Sequence, residues 1–205
     1  MVFQVVVFHT RTPPLFIAYQ LVRIPGSTSG RAAVILPDNV LFEGGAGELI
    51  RRKLLEECDL HTILRLPPGI FYAQGVKANV FFIDKIKRTD LLPCTKKVWI
   101  YDLRTGKSFT LRTRQMQKPH LTDFIDCFKA DNRQERTSSE FFRSFTYEDI
   151  LKRDKCNLDI SWPIYTKKKG ADAKSKSSNT LIDEIIGHLN SARLHFEAVK
   201  QELHK

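Results

Sequence analysis

Cations gather around one short loop of this sequence. Arg65 precedes Gly69-Ile70-Phe71-Tyr72, Lys77 follows it, and Lys85, Lys87 and Arg88 lie at and beyond the end of the next apolar run. Groups of this type at strand ends can contact phosphates, although each taken singly reads first as a solvated surface charge. Asp38 and Asn39 close another apolar run. That is the ligand side of an open α/β sheet, and Pro-Asp-Asn is equally an ordinary turn. Metal chemistry finds no footing. Cys58, Cys94, Cys127 and Cys156 fall about thirty residues apart, without the paired spacing of a metal knuckle or redox motif, and read as reduced thiols of a cytosolic protein. The six histidines show no metal spacing either, and His188 and His195 fall on the outer face of the last helical pattern.

The whole composition agrees with a polyanion partner. Lys and Arg number 33 against 23 Asp and Glu, a formal charge of +10 with a pI near 9.5. Nucleic acid is the commonest partner of such a chain. Part of the excess is a tail, because Lys167, Lys168, Lys169, Lys174 and Lys176 stand together. With 42% hydrophobic and 27% charged residues the 205-residue chain has the composition of a folded soluble protein with one core. The opening MVFQVVVF is too short for a secretory core or a membrane span.

The elements that must position these residues follow from hydrophobic period. Residues 1–30 form a divergent segment: a β-prone run, Pro13-Pro14, and LFIAYQLV, which reads as the end of a helix. RAAVILP is a continuous apolar run, as in a strand buried on both faces of a parallel sheet. GAGELIRRKLLEEC is an amphipathic helix with Leu49, Ile50, Leu54 and Cys58 on one side and Glu48, Arg51, Arg52 and Glu56 on the other. DLHTILRLP and KANVFFIDK are further strands, and strand-helix-strand is the unit of a doubly wound sheet. KVWIYDLR and KSFTLR alternate around Thr105-Gly106, predicting a hairpin over 97–112 at or near an edge. The strand near 31–36 is expected beside that near 77–84. Two short helices follow, one with the stripe Leu121, Phe124, Ile125 and Phe128, the other opened by Thr146 and Asp149 in the manner of a capping box. Residues 31–165 therefore read as the folded body, 166–180 as a flexible linker, and 181–205 as a helix whose stripe Ile182, Ile185, Leu189, Ala192, Phe196, Val199 and Leu203 needs a partner.

GRAAVILPDNVLFEGGAGELIRRKLLEECDLHTILRLPPGIFYAQGVKANVFFIDK, then KVWIYDLRTGKSFTL, FTYEDILKRDKCNLDI and the terminal helix resemble the modification subunits of type I restriction-modification systems, over roughly residues 30 to 205. The resemblance implies an adenine-specific DNA methyltransferase and an α/β fold, here the second half of a Rossmann-like S-adenosylmethionine-dependent sheet with a C-terminal helical arm. It implies S-adenosylmethionine as cofactor, DNA as substrate, and the specificity and restriction subunits as cytoplasmic partners, with the target sequence read by the specificity subunit. The family's Gly-rich donor loop and Asn-Pro-Pro-aromatic loop have no match. Pro13-Pro14 is flanked by Thr12 and Leu15, and no acidic strand end follows Gly44, Gly45 and Gly47 at the required distance. The expectation is a C-terminal portion, from a truncated or rearranged gene, that lacks the cofactor-binding and catalytic residues and is inactive alone. A flipped adenine needs an aromatic face, and by the resemblance Phe71, with Tyr72 second, is matched to that role. The competing reading is a non-enzymatic DNA-binding or assembly module that docks on a specificity subunit through the terminal helix.

Overall fold

The computed structural model describes residues 5–6, 30–71, 75–86, 92–104, 109–110, 112–164 and 186. The chain divides into two units, Met1–Tyr165 and Thr166–Lys205. Of the second only Ile186 is described, and it is helical. The linker and the rest of the heptad stripe lie outside the described residues, as do Tyr72, Lys87, Arg88 and most of residues 1–30.

The apolar runs become strands. β1 is Val5–Val6, β2 Gly30–Pro37, β3 Asp59–Arg65, β4 Ala78–Lys85, β5 Lys97–Asp102 and β6 Phe142–Thr146, in one sheet ordered β1-β2-β4-β3-β5-β6. The strand near residues 31–36 does lie beside that near 77–84: β2 pairs with β4 from Gly30↔Lys85 to Pro37↔Ala78. Their pairing is antiparallel, and β4 is antiparallel to β3 as well. β2 and β3, which point the same way, are thus separated by a reversed strand, while β1 with β2 and β3 with β5 pair in parallel. The sheet is mixed, not a plain parallel array. An apolar run reports burial on both faces and says nothing of the direction of its hydrogen-bonded neighbour.

The expected hairpin does not form among the described residues. β5 is flanked by β3 and, antiparallel, by β6, while Thr110 bridges Arg114 instead. β5 is still next to an edge, as expected, but its antiparallel partner comes from forty residues downstream. The alternation of KSFTLR was compatible with pairing; the contact that prevailed is long-range.

Each face of the sheet carries a core. On one, Val34, Leu36, Leu60, Ile63, Phe81, Ile83, Val98 and Ile100 meet Leu54 and Leu55 of helix α1, Ala46–Glu57. Leu60 and Ile63 share that face despite odd spacing because β3 has a register shift between Leu60 and Thr62, the signature of a bulge. On the other, Leu64, Trp99, Tyr101 and Phe142 meet Phe124 of α2, Thr122–Phe128. Within the predicted stripe of that helix Leu121 and Phe128 also pack inward, but Ile125 is exposed. Helix α3, Tyr147–Leu151, begins as the sequence predicts: Thr146 Oγ1 accepts the Asp149 amide at 3.2 Å.

Helix α1 departs from its expected faces at two positions. Leu49 is exposed, and Arg51, placed on the polar side by periodicity, is fully buried. Its guanidinium donates to the carbonyls of Val40 (2.9 Å), Glu43 (2.7 Å), Lys155 (2.7 Å) and Cys156 (3.2 Å). Burial lowers its pKa against the pull of Glu48 and Glu43, and four carbonyl acceptors satisfy the charge, with no carboxylate within ion-pair distance among the described residues. Arg51 therefore ties the loop before α1 to the one after α3.

Candidate functional site

Because β2, β3 and β5 run the same way, their carboxyl ends and the start of β4 form one margin of the sheet, where ligands bind in open α/β folds. Four segments reach it: Asp38 after β2, the loop after β3, Lys77 before β4, and Leu103-Arg104 after β5. Their backbones are stitched together. Asp38 donates its amide to the Lys77 carbonyl (3.0 Å), Leu66 to Ala78 (3.0 Å), and Leu103 to Arg65 (3.1 Å). Gly69 sits at φ +85°, and a Cβ there would fall 1.8 Å from the Phe109 carbonyl oxygen, so only glycine lets this loop lie on Phe109. Phe109 in turn donates its amide to the Pro68 carbonyl at 3.3 Å.

Phe71 emerges from that loop partly buried, packed with Ile70 against the second core. Arg65, the last residue of β3, is fully buried. Its Nη2 reaches Asp159 at 2.5 Å and Asp38 at 3.4 Å, and its Nη1 donates to the Ile160 carbonyl at 3.1 Å. Asn79 adds a hydrogen bond to Asp38 at 3.1 Å. Arg65 is accordingly a support beneath the margin, out of reach of an external phosphate. Lys77 is exposed. Lys85 ends the same strand eight residues on, roughly 26 Å away at about 3.3 Å per residue, on the opposite margin. The expected cation set is therefore divided by the fold: Arg65 inside, Lys77 outward at the carboxyl margin, Lys85 at the other end.

The structure adds residues that sequence reasoning passed over. Asp102 accepts the Arg104 amide (3.0 Å) and Nε (2.9 Å) on Oδ1, and Nη2 (2.6 Å) on Oδ2. Burial works against this carboxylate, but the Arg104 hydrogen bonds and charge outweigh it and hold its pKa below the ordinary value. The Asp-x-Arg spacing at the end of an apolar strand could have signalled this pair. Nothing local could have signalled Asp159. Pro68, Lys77, Asp102 and Arg104 line an open depression of about 310 Å3.

The opposite margin holds a second charged group around a smaller pocket of about 160 Å3, walled by His61, Phe82 and Phe128. Arg133 spans Asp84 at 2.6 Å and Asp59 at 3.4 Å, and Arg31 and His61 approach Asp84 at 3.8 and 3.6 Å. Burial lowers the His61 pKa more than Asp84 raises it. Burial also pushes Asp59 up to about 6, against the pull of Arg133 and with the charge of Asp84 adding to the rise.

Two cations, Lys77 and Arg104, border the depression, facing the sulfonium of S-adenosylmethionine with like charge and its carboxylate with opposite charge. The carboxylates there are already engaged, Asp102 by Arg104 and Asp38 and Asp159 by Arg65. Among the described residues no cluster of His, Cys, Asp and Glu could hold a metal ion, and no helix is long and apolar enough to cross a membrane.

Comparison with known proteins agrees with the fold. The family model for N-6 DNA methylases matches residues 15–172, beginning upstream of Gly30. The methylase subunit of the type I restriction enzyme StySJI of Salmonella typhimurium is 39% identical over 207 residues, covering 85% of this chain and 39% of that subunit. The EcoKI methylase subunit of Escherichia coli K12 is 38% identical over 206 residues, with the same coverage. The crystal structure of the type I restriction enzyme EcoKI M protein matches with a TM-score of 0.63 at 34% identity, over 92% of this chain and 44% of that one. The chain spans about two fifths of the length of these curated relatives. With the family model matching most of its length and this identity to type I methylase subunits across most of it, the chain belongs to the N-6 DNA methylase family.

Proposed function

We propose that this chain is part of the methylase subunit of a type I restriction-modification system, which transfers a methyl group to the exocyclic amine of adenine in DNA. The observation that carries the reading is 38–39% identity to type I methylase subunits over 85% of the chain. Its part in the reaction is to present DNA to the site. Phe71 supplies an aromatic face for the extrahelical adenine, with Tyr72 as the second candidate, and Lys77 contacts a phosphate on the same margin. Arg65 acts from behind, fixing the strand end from which the Phe71 loop departs. Lys85 belongs to a separate contact at the opposite margin of the sheet, and Lys87 and Arg88 stay DNA-contact candidates outside the described residues.

The amine's lone pair is delocalised into the adenine ring, so transfer depends on groups that orient it toward the donor. In this reading those groups, and the S-adenosylmethionine site, lie in the part of the relatives that the chain does not span. Sequence recognition belongs to the specificity subunit, on which residues 181–205 dock, and cleavage to the restriction subunit, all in the cytoplasm. Deleting residues 178–205 should abolish copurification with the specificity subunit at unchanged melting temperature. The central test coexpresses the chain with a specificity subunit and the part of the EcoKI methylase subunit that the chain does not match, then measures N6-methyladenine by mass spectrometry. Methylation by the assembly, with no saturable S-adenosylmethionine binding by the chain alone in calorimetry, is expected. A soluble assembly that leaves adenine unmodified overturns the reading.

A further inference from the structure

We propose that Lys77 and Arg104 form a two-cation clamp for a backbone phosphate of duplex DNA, with Asp102 as the positioning residue that aims Arg104. The proposal rests on the reading that this margin meets DNA. Both cations border the same open depression, and Pro68 forms its wall. They differ in how they are held. Lys77 has no carboxylate within ion-pair distance among the described residues, while its backbone is pinned through the hydrogen bond from Asp38. Arg104 is clasped by Asp102, whose carboxylate is buried at the end of β5 and takes up Nε, Nη2 and the Arg104 amide. Such a charge-assisted fork fixes the plane of the guanidinium. It leaves Nη1 without an acceptor among the described residues, on a side chain that remains 27% exposed.

The local charges cancel in number: Lys77, Arg65 and Arg104 stand against Asp38, Asp102 and Asp159. Their placement does not cancel. Each carboxylate is paired with an arginine, Asp102 through both oxygens with Arg104 and the other two, which stay 21% and 37% exposed, through Oδ1 with buried Arg65. Of the four residues that border the depression, only Lys77 and Arg104 have side-chain hydrogens to donate. A phosphodiester oxygen suits this arrangement, because an ammonium supplies a point charge and a guanidinium edge supplies direction. A sulfonium or another cation does not.

The experiment measures binding of the full chain to a fluorescein-labelled duplex of mixed sequence by anisotropy, over a series of salt concentrations. Lys77→Gln and Arg104→Gln should each weaken binding on every sequence and reduce the slope of log K against log salt, and the double variant should lose about 0.9 of it, the contact with one phosphate. Lys53→Gln, on the exposed side of α1, should leave the slope unchanged. Asp102→Asn separates the clamp from mere electrostatics. It removes a negative charge, which by itself tightens binding to DNA, whereas loss of the fork weakens it. Arg104→Lys, which keeps the charge and loses the fork, should retain the slope and lower the affinity, and it serves if Asp102→Asn melts early. Tighter binding by Asp102→Asn at unchanged melting overturns the positioning role. If the unaltered chain binds DNA and both glutamine variants behave like Lys53→Gln, the clamp falls and the functional reading stands. If the unaltered chain fails to bind DNA at low salt, both fall. Displacement of the duplex by micromolar adenosine monophosphate or inorganic phosphate would reassign the clamp to a free phosphate and overturn the DNA assignment.

Discussion

At the carboxyl margin of the sheet Arg104 is held by a carboxylate two residues away on the same chain, and Lys77 faces outward beside it. At the opposite margin Arg133 reaches back across the sequence to Asp59 and Asp84, on two different strands, while Arg136 donates to the Phe128 carbonyl at 2.7 Å and to Thr62 Oγ1 at 3.0 Å. Both ends contain arginines and aspartates in pairs. A pair formed within one turn of chain orients a cation without joining elements, so it can display charge. A pair formed across elements consumes the cation in holding the loop at 129–136 to the sheet. The first kind stands at the carboxyl margin on a support of the second kind, Arg65.

Removing that support should have the largest effect. Arg65→Met strips the partly exposed Asp38 and Asp159 of their buried partner and should cost about 2–3 kcal/mol in urea unfolding. Arg133→Met, at a site that is 32% exposed, should cost clearly less, and equal losses at the two ends would break the contrast. The next effect concerns pH. The folded pKa of Asp59, about 6, lies above its ordinary 3.8, so the native state binds the extra proton between these values. The associated stability is present below about pH 4 and lost as pH rises through 6. Across that window Asp59→Asn should gain on the unaltered protein by about 2–3 kcal/mol, read as the difference between urea titrations at the two pH values. Parallel pH profiles would place the Asp59 charge in solvent and undo the picture of a closed clasp.

Phe71→Ala, in an assembly competent for methylation, should weaken handling of the extrahelical adenine by about 1–3 kcal/mol. The readout is 2-aminopurine fluorescence at the target position. An unaffected signal, with Tyr72→Ala doing the damage, would move the aromatic face one residue along. The smallest expected effect is at the start of α3, where Thr146→Ala removes a cap far from the carboxyl margin. A loss of about 1 kcal/mol in stability with no change in DNA binding is expected. A change in DNA binding there would show that the two ends are coupled.

Most elements were legible before any contact was known. The apolar runs at 31–36 and 77–84 became β2 and β4, GELIRRKLLEE became α1, and Thr146 capped α3, because burial and capping leave local marks on the residue order. Arg51 was misread because helical period sorts residues by polarity, and a guanidinium can be buried where loop carbonyls from residues 40–43 and 155–156 meet it. The 97–112 hairpin was misread because alternation marks a strand without naming its partner. The cation cluster was read as one patch because Lys77 and Lys85 are close in sequence, whereas an extended strand carries them to opposite margins.

The sequence by itself determined the charge, strands β2 to β5, helices α1 to α3 and the family resemblance, since each is a property of neighbouring residues or of their order, while β6 and the need for glycine at 69 were not marked. Tertiary structure decided the reversal of β4 between β2 and β3, the burial of Arg65 against Asp159, and which cations face outward at the carboxyl margin. Those depend on hydrogen bonds and ion pairs between groups as far apart in sequence as Arg65 and Ile160, which pattern within a short window does not encode.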